Sequence, residues 1–247
     1  MTFPLVVNEW FWAFIINFIL ISIVHTQPLL TKRGWVHAGA LGTILLACLG
    51  WNGWIAVFIY LIFGSAVTKF GFAYKQSKGI AESRGGRRGP ENVWGSAATG
   101  TIMALLYKIL SGQGQYYIFV GFAASFASKL ADTFGSEIGK RWGKKTFLIT
   151  SFKSVPPGTD GAISLEGTLA SLLGSLLMTS VMMVFSFISS FESFLIVMTS
   201  GFLATIFESI FGALFQNKLK FMTNEFVNFL QTTFACLISI MMAFIIS

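Results

Sequence analysis

The sequence predicts an all-α integral membrane protein with about eight transmembrane helices. Of its 247 residues, 54% are hydrophobic and only 11% are charged, and the mean hydropathy is +0.72. A soluble domain carries about 25% charged residues, so most of this chain must face lipid rather than water. The composition therefore excludes a cytosolic enzyme, a disordered tail protein and a nucleic-acid-binding domain.

Apolar stretches of suitable length mark the predicted spans, because a helix needs about 20 residues to cross the hydrocarbon core. Eight stretches qualify, at residues 8–26, 35–50, 52–68, 91–110, 115–131, 163–187, 191–214 and 225–246. The second and third are short and share the turn at 50–53, so two crossing helices or a re-entrant hairpin would fit them. The orientation of the later spans is the same in both cases.

Basic residues alternate between the two sides of these spans. Sixteen of the 17 lysines and arginines fall in connections on one side, and the turns near 50–53, 111–115 and 188–191 contain none. The members are Lys32, Arg33, Lys69, Lys75, Lys78, Arg84, Arg87, Arg88, Lys129, Lys140, Arg141, Lys144, Lys145, Lys153, Lys218 and Lys220. By the positive-inside rule, this side is cytoplasmic and both termini lie outside.

Two predicted cytoplasmic loops, at about 69–90 and 132–162, are long and glycine-rich. Loops of this length in a compact protein are usually functional or disordered. Residues 1–247 are expected to form a single integral membrane domain, with its active site in these two loops.

Residues 125–140 continue a helical pattern from the fifth span. At 100° per residue, one face collects the polar side chains. This face contains Lys129, Asp132, Thr133, Ser136 and Lys140, with Glu137 at its border. It is either a solvated face or the polar wall of a cleft. In a cleft, Asp132 and Glu137 would hold a divalent cation, because Mg²⁺ prefers carboxylate and phosphate oxygens.

Residues 155–167 combine features of an anion site. Two prolines end the preceding element, and two glycines permit positive φ. Ser164 is the expected N-cap of the next helix. Free N–H groups at a helix start attract anions, so this turn is predicted to bind a phosphate group.

Further polar residues lie on the same side of the membrane. Arg87 and Arg88 precede the predicted fourth span, where they would contact anionic lipid or bind phosphate through bidentate guanidinium groups. Glu208 interrupts an apolar run, and Asn224 and Asn228 belong to a polar stripe on the last span. Ionisable residues within spans are functional candidates.

Together these motifs resemble the phytyl-phosphate kinases of tocopherol biosynthesis, a multi-span membrane family similar in chemistry to prenol kinases and CDP-lipid synthases. The resemblance extends from about residue 66 to the end of the chain. It is carried by residues 84–96 (RGGRRGPENVWGS), 125–140 (SFASKLADTFGSEIGK), 152–167 (FKSVPPGTDGAISLEG), 208–216 (ESIFGALFQ) and 223–228 (TNEFVN).

The resemblance implies transfer of the γ-phosphoryl group of a nucleotide, CTP being expected, to phytyl monophosphate. The product, phytyl diphosphate, is the prenyl donor for tocopherol synthesis. The acceptor phosphate is already nucleophilic near neutral pH, since its second pKa is about 6, so catalysis would depend on positioning and charge neutralisation. The expected address is a thylakoid, plasma or plastid membrane of a phototroph, with the site on the cytoplasmic or stromal face.

The hypothesis assigns catalysis to Asp132, Glu137 and Lys140, and Mg²⁺ binding to Asp132, Glu137 and Glu208. It assigns substrate and nucleotide phosphates to Arg87, Arg88, Lys129, Lys153, Gly158, Thr159, Asp160, Gly161, Ser164, Glu166, Asn224 and Asn228. The phytyl chain would lie between spans, exposed to lipid, and no nucleic acid is expected as a partner.

Two other functions remain open from the sequence. A membrane nucleotidyltransferase that makes a CDP-activated lipid needs the same site, but it releases pyrophosphate. A transporter of a phosphorylated lipid is the second, although transporter sites usually lie near the bilayer midplane and these charges gather on one side.

Overall fold

Eight α-helices and one two-stranded hairpin make up the computed structural model, which describes residues 3–216, 219 and 221–246. Their bounds are α1 Phe3–Val24, α2 Lys32–Lys69, α3 Phe72–Ser77, α4 Pro90–Ile109, α5 Gln115–Trp142, β1 Phe147–Leu148, β2 Ala162–Ile163, α6 Leu165–Val184, α7 Phe191–Phe211 and α8 Asn224–Ile246. A 3-10 turn at Ser83–Gly86 precedes α4, and a π-helical turn at Gly212–Gln216 extends α7. Lys218 and Lys220, counted above among the cytoplasmic cations, lie outside the described residues.

Helix α2 is a helical hairpin that reverses at Gly50. This residue has φ 65° and ψ −159°, far from helical values. Asn17 of α1 contacts both sides of the reversal: its Nδ2 donates to the Gly39 carbonyl oxygen at 2.6 Å, and its Oδ1 accepts from Trp54 Nε1 at 2.8 Å. In an unbroken helix, Gly39 and Trp54 would lie about 22 Å apart, so the two limbs must run antiparallel.

The limbs at 32–49 and 51–69 correspond to the predicted second and third spans. Each is about 27 Å long, close to the ~30 Å thickness of a hydrocarbon core. With both limbs counted and the short α3 left out, the described part of the chain has eight helices of spanning length. The predicted all-α membrane fold is confirmed.

Apolarity differs among these helices because they occupy different positions. Four elements are long and apolar enough to cross a membrane by length and composition. They are Lys32–Lys69, Leu165–Val184, Phe191–Gln216 and Asn224–Ile246. Helix α5 is less apolar because it forms the centre of the bundle, where it packs against α2, α4, α6, α7 and α8. Phe122, Phe126 and Leu130 are fully buried there.

The cytoplasmic segment predicted at 132–162 begins with helix, as the helical pattern at 125–140 indicates. Helix α5 continues to Trp142, because its last three turns remain packed on α6. Glycines permit this close contact: a Cβ on Gly135 would collide with Ser171 Oγ, and a Cβ on Gly139 would lie 3.5 Å from Gly167 Cα. The shortened loop at 143–164 carries the β1–β2 hairpin.

The loop predicted at 69–90 also contains regular structure. It holds α3 and the 3-10 turn. We call the end of the bundle that carries residues 70–89 and 143–164 the loop end.

Candidate functional site

A polar cavity of about 750 Å³ lies at the loop end, between the ends of α4 to α8 and the two loops. Thirteen of the predicted site residues line it: Arg88, Lys129, Asp132, Glu137, Lys140, Gly158, Thr159, Asp160, Gly161, Ser164, Glu208, Asn224 and Asn228. The fold therefore brings motifs from across most of the chain into a single site.

Three predicted residues do not line this cavity as the described residues define it. Arg87 is exposed, and its Nε donates to the Arg84 carbonyl oxygen at 3.1 Å. The backbone at Arg87 is extended, and successive side chains of extended backbone point to opposite sides, so Arg88 faces inward and Arg87 outward. Lys153 is exposed on the hairpin loop, and Glu166 accepts from the Lys144 backbone N–H at 3.4 Å.

Lys129 forms the centre of the cavity wall on α5. It is 6% exposed, and its ammonium group pairs with Asp132 and donates to Asn228 Oδ1 at 2.9 Å. A buried ammonium group needs such partners, because an unpaired buried charge costs several kcal/mol. Gln231 Nε2 donates to the Ser128 carbonyl oxygen at 3.1 Å, which anchors α8 beside this group.

Glu137 is engaged by two lysines. The fully buried Lys75 of α3 forms an ion pair with it, and Lys140 Nζ lies 3.6 Å from its other oxygen. Lys75 also donates to the Thr68 carbonyl oxygen at 2.8 Å. Lys75 is absent from the predicted site. Its only signal in the sequence is its place in the apolar stretch FGFAYK at 70–75.

The carboxylates of the cavity outnumber its cations. Six acidic residues line it, Glu82, Asp132, Glu137, Asp160, Glu208 and Glu225, against the basic residues Arg88, Lys129 and Lys140. A phosphate group would meet net negative charge here unless a cation accompanied it. Mg²⁺ suits such a site because it binds through one or two carboxylates together with substrate phosphates.

The predicted metal ligands Asp132, Glu137 and Glu208 all line the cavity, and their binding of Mg²⁺ stays a prediction. Within the described residues, no three acidic, histidine or cysteine side chains form a closed metal cluster. Both Glu137 and Asp132 are already paired with lysines, Glu137 with Lys75 and Lys140 and Asp132 with Lys129. Asp132, Asp160 and Glu208 line the same cavity. Carboxylate oxygens of this kind are the ligands that Mg²⁺ prefers.

The glycine-rich turn places Asp160 beside α7. Gly161 has φ 73°, and a Cβ there would lie 2.5 Å from the Ser209 carbonyl oxygen, so only glycine permits this close contact. Ser164 caps α6 as predicted, and its Oγ accepts from Gly167 N at 3.1 Å. The hydroxyl of Thr159 donates to the Pro156 carbonyl oxygen at 2.8 Å, and thus stabilises the turn itself. Phosphate binding at this helix start stays a prediction.

Asn92 and Glu225, which also line the cavity, connect the loop that carries Arg84 and Arg88 to α8. Asn92 Oδ1 accepts from Gly89 N at 2.9 Å and from Arg84 NH2 at 2.7 Å, and Asn92 Nδ2 donates to Glu225 Oε1 at 3.1 Å. Asn92 was not among the predicted site residues, although it lies within the segment at 84–96. The bonds hold the loop that carries Arg88 against the bundle.

Eight helices of spanning length with an acid-rich polar cavity at one end define an integral membrane protein. The chain belongs to the DUF92 family of integral membrane proteins, whose model matches residues 15–236. No solved structure matches it.

Three relatives match nearly the whole chain. An uncharacterised membrane protein of Synechocystis sp. is 44% identical over 94% of this chain and 90% of its own length. The chloroplastic protein VTE6 of Arabidopsis thaliana is 40% identical over 92% of this chain and 70% of its own. An uncharacterised membrane protein of Methanocaldococcus jannaschii is 29% identical over 94% and 93%. The resemblance to a multi-span membrane family is thereby confirmed.

Proposed function

We propose that the protein is a membrane kinase that transfers the γ-phosphoryl group of a nucleoside triphosphate to phytyl monophosphate, with CTP as the donor. The observation that carries the proposal is the cavity at the loop end, where carboxylates and cations of both loops and several helices meet beside lipid. Its volume of about 750 Å³ lies within the usual range of ligand sites. The substrate class follows from the resemblance of the motifs at 84–96, 125–140 and 152–167 to the phytyl-phosphate kinases.

The reaction that fits this cavity is an in-line phosphoryl transfer. An oxygen of the acceptor monophosphate forms a new bond to the γ-phosphorus, and the bond from that phosphorus to the β-bridging oxygen breaks. The products are the isoprenoid diphosphate and the nucleoside diphosphate. No strong base is needed, because the acceptor phosphate is largely ionised near neutral pH.

Each charged residue of the cavity has a separate proposed role. Arg88 neutralises the acceptor phosphate, and Lys129 and Lys140 neutralise the transferring and departing phosphates. Asp132, Asp160 and Glu208 would hold Mg²⁺, which supplies further charge neutralisation when bound. Catalysis of this kind depends on positioning and electrostatics rather than on a covalent intermediate.

The proposed product serves tocopherol synthesis in a phototroph. One relative is a chloroplastic protein and another comes from Synechocystis. We therefore place this integral membrane protein in a thylakoid, plasma or plastid membrane, with the loop end at the cytoplasmic or stromal face. The basic residues of the two loops support this orientation.

Product analysis tests the proposal. Purified protein is incubated in nanodiscs with phytyl monophosphate, Mg²⁺ and CTP labelled at the γ-phosphate. Label in phytyl diphosphate is expected, with loss of activity in Asp132→Ala and full activity in Glu192→Ala, whose carboxylate is exposed at the other end of the bundle. Label in pyrophosphate with formation of a CDP-lipid would instead identify a nucleotidyltransferase. Transport of the lipid phosphate without turnover would identify a transporter.

A further inference from the structure

A small apolar groove adjoins the polar cavity. It has a volume of about 80 Å³ and lies between α1, the two limbs of α2 and the start of α4. Three residues, Arg88, Asn92 and Ser96, line both the groove and the cavity. The two spaces therefore lie next to each other, one polar and the other apolar.

The walls of the groove are almost entirely hydrocarbon. Leu41 and Leu45 belong to the first limb of α2, Val57 and Leu61 to the second, and Ala97 to α4. Such walls suit an alkyl or alkenyl chain better than a nucleotide.

The inner end of the groove is closed by a hydrogen-bonded pair. Trp54 Nε1 donates to Asn17 Oδ1 at 2.8 Å, and Gly42 lies against both side chains. Tyr60 lies at the mouth and Trp54 at the inner end, six residues apart on one helical limb. The depth of the groove is therefore about 9 Å.

Arg88 supplies a fixed positive charge at the mouth. Its backbone is held by the Thr31 N–H, which donates to the Arg88 carbonyl oxygen at 3.0 Å, and by the Leu29 carbonyl oxygen, which accepts from Arg88 N at 3.1 Å. Its guanidinium group donates to Tyr60 Oη at 2.7 Å and lies 5.5 Å from the centroid of the Tyr60 ring. A cation fixed between a polar cavity and an apolar groove matches a phosphate joined to a hydrocarbon chain.

The groove also contains an unsatisfied donor. Trp35 is 4% exposed, and its Nε1 has no hydrogen-bond partner in the described part of the chain. Indole N–H groups usually find a partner when buried. Trp35 directly follows Gly34, where a Cβ would lie 2.5 Å from the Arg88 carbonyl oxygen, so this residue is close to the mouth.

We propose that the groove binds the isoprene units nearest the phosphate of the acceptor, with that phosphate at Arg88. The inference rests on the proposed function and locates its acceptor. The rest of the chain leaves the groove for the lipid, past Ile21 and Val24 of α1, which are only partly buried. The protein thus recognises the phosphate-proximal part of the chain, and it contacts the distal part weakly.

Two matched substitutions on one helix test this location. Ala38 lines the groove, and Ala38→Phe fills it, whereas Val36 is 72% exposed on the lipid side of the same limb. Ala38→Phe should raise the KM for phytyl monophosphate at least about tenfold and leave the KM for the nucleotide unchanged. Val36→Phe should change neither value. Equal acceptor KM values in the two variants would overturn the proposal.

Photolabelling of the unmodified protein provides a test that needs no variant. The probe is an isoprenoid monophosphate with a diazirine on its first isoprene unit, and an excess of phytyl monophosphate serves as competitor. Label is expected in residues 38–45 and 57–61, and the competitor should suppress it. Competed label on α6 or α7 instead would overturn the location.

The two proposals fail in different ways. Absence of any turnover of phytyl monophosphate in the wild type, with competed labelling of the groove, would reject the kinase and keep the groove. Normal turnover with no effect of Ala38→Phe, or with labelling elsewhere, would reject the groove and keep the kinase.

Discussion

The buried pair between Lys75 and Glu137 attaches the first loop to the central helix, and Lys75→Met should detach it. Lys75 is fully buried and Glu137 is 4% exposed. Removing one partner of a buried ion pair costs about 3–5 kcal/mol, because the other charge stays buried without compensation. Lys140, 3.6 Å from the second oxygen of Glu137, compensates part of it. We therefore expect the lower end of that range, about 3 kcal/mol.

Thermal unfolding in detergent measures this loss. Both cysteines, Cys48 and Cys236, are buried, so a thiol-reactive dye reports unfolding directly. A loss of about 3 kcal/mol corresponds to a decrease in Tm of roughly 6–12 °C for a chain of this size. The double variant Lys75→Met/Glu137→Leu should recover most of the decrease, because it leaves no unpaired buried carboxylate.

The matched control is the exposed ion pair between Lys108 and Glu9, in which the side chains are 32% and 54% exposed. Exposed pairs contribute about 0–1 kcal/mol, so Lys108→Met should leave Tm almost unchanged. The reasoning is refuted if the Lys75→Met and Lys108→Met proteins unfold at the same temperature. It is also refuted if the double variant is no more stable than Lys75→Met.

The remaining predictions concern the cavity. Lys129→Met should lower kcat/KM at least about 100-fold in the labelled-CTP assay, because it removes the central cation of the wall; a change below tenfold would exclude Lys129 from phosphate binding. Arg88→Lys should raise the KM for the acceptor, since lysine lacks the planar fork, whereas Arg87→Lys should have no effect. Gly161→Ala should lower the free energy of unfolding by about 1–3 kcal/mol from backbone strain at φ 73°, and the close contact with Ser209 adds to this loss. Gly79→Ala should cost less, because Gly79 has a similar φ of 69° but open space around it. Chelation of Mg²⁺ should abolish turnover and readdition should restore it.

Local periodicity explains which parts of the site were predictable from the sequence. The shared face of Lys129, Asp132 and Lys140 follows from the 100° step of a helix, and the Ser164 cap follows from a turn of a few residues. Both depend on neighbours in the chain. The spans were also predictable from the chain alone, because each corresponds to a mainly apolar stretch of suitable length.

Long-range pairing explains what was missed. Lys75 and Glu137 are separated by 62 positions, and no local pattern indicates that a loop lysine will be fully buried against a helix. The choice between Arg87 and Arg88 depends on which side of an extended segment faces the bundle, and this becomes known only when Arg88 pairs with Leu30. The helical pattern at 125–140 predicted that α5 runs past the end of its span, but no local signal showed that Gly135 and Gly139 permit its close packing on α6.

The basic residues of the cavity are already engaged by the protein, and this constrains how phosphate can bind. Lys129 is paired with Asp132 and Asn228, Arg88 is bonded to Tyr60, and Lys140 lies beside Glu137. With six carboxylates in the same lining, a free nucleotide would meet repulsion that these cations do not offset. We therefore expect the nucleotide to bind as its Mg²⁺ complex, and equilibrium binding of CTP should be weak in EDTA and strong with Mg²⁺. Equal affinity under both conditions would show that the protein's own cations suffice, and the assignment of Asp132, Asp160 and Glu208 to the metal would then be wrong.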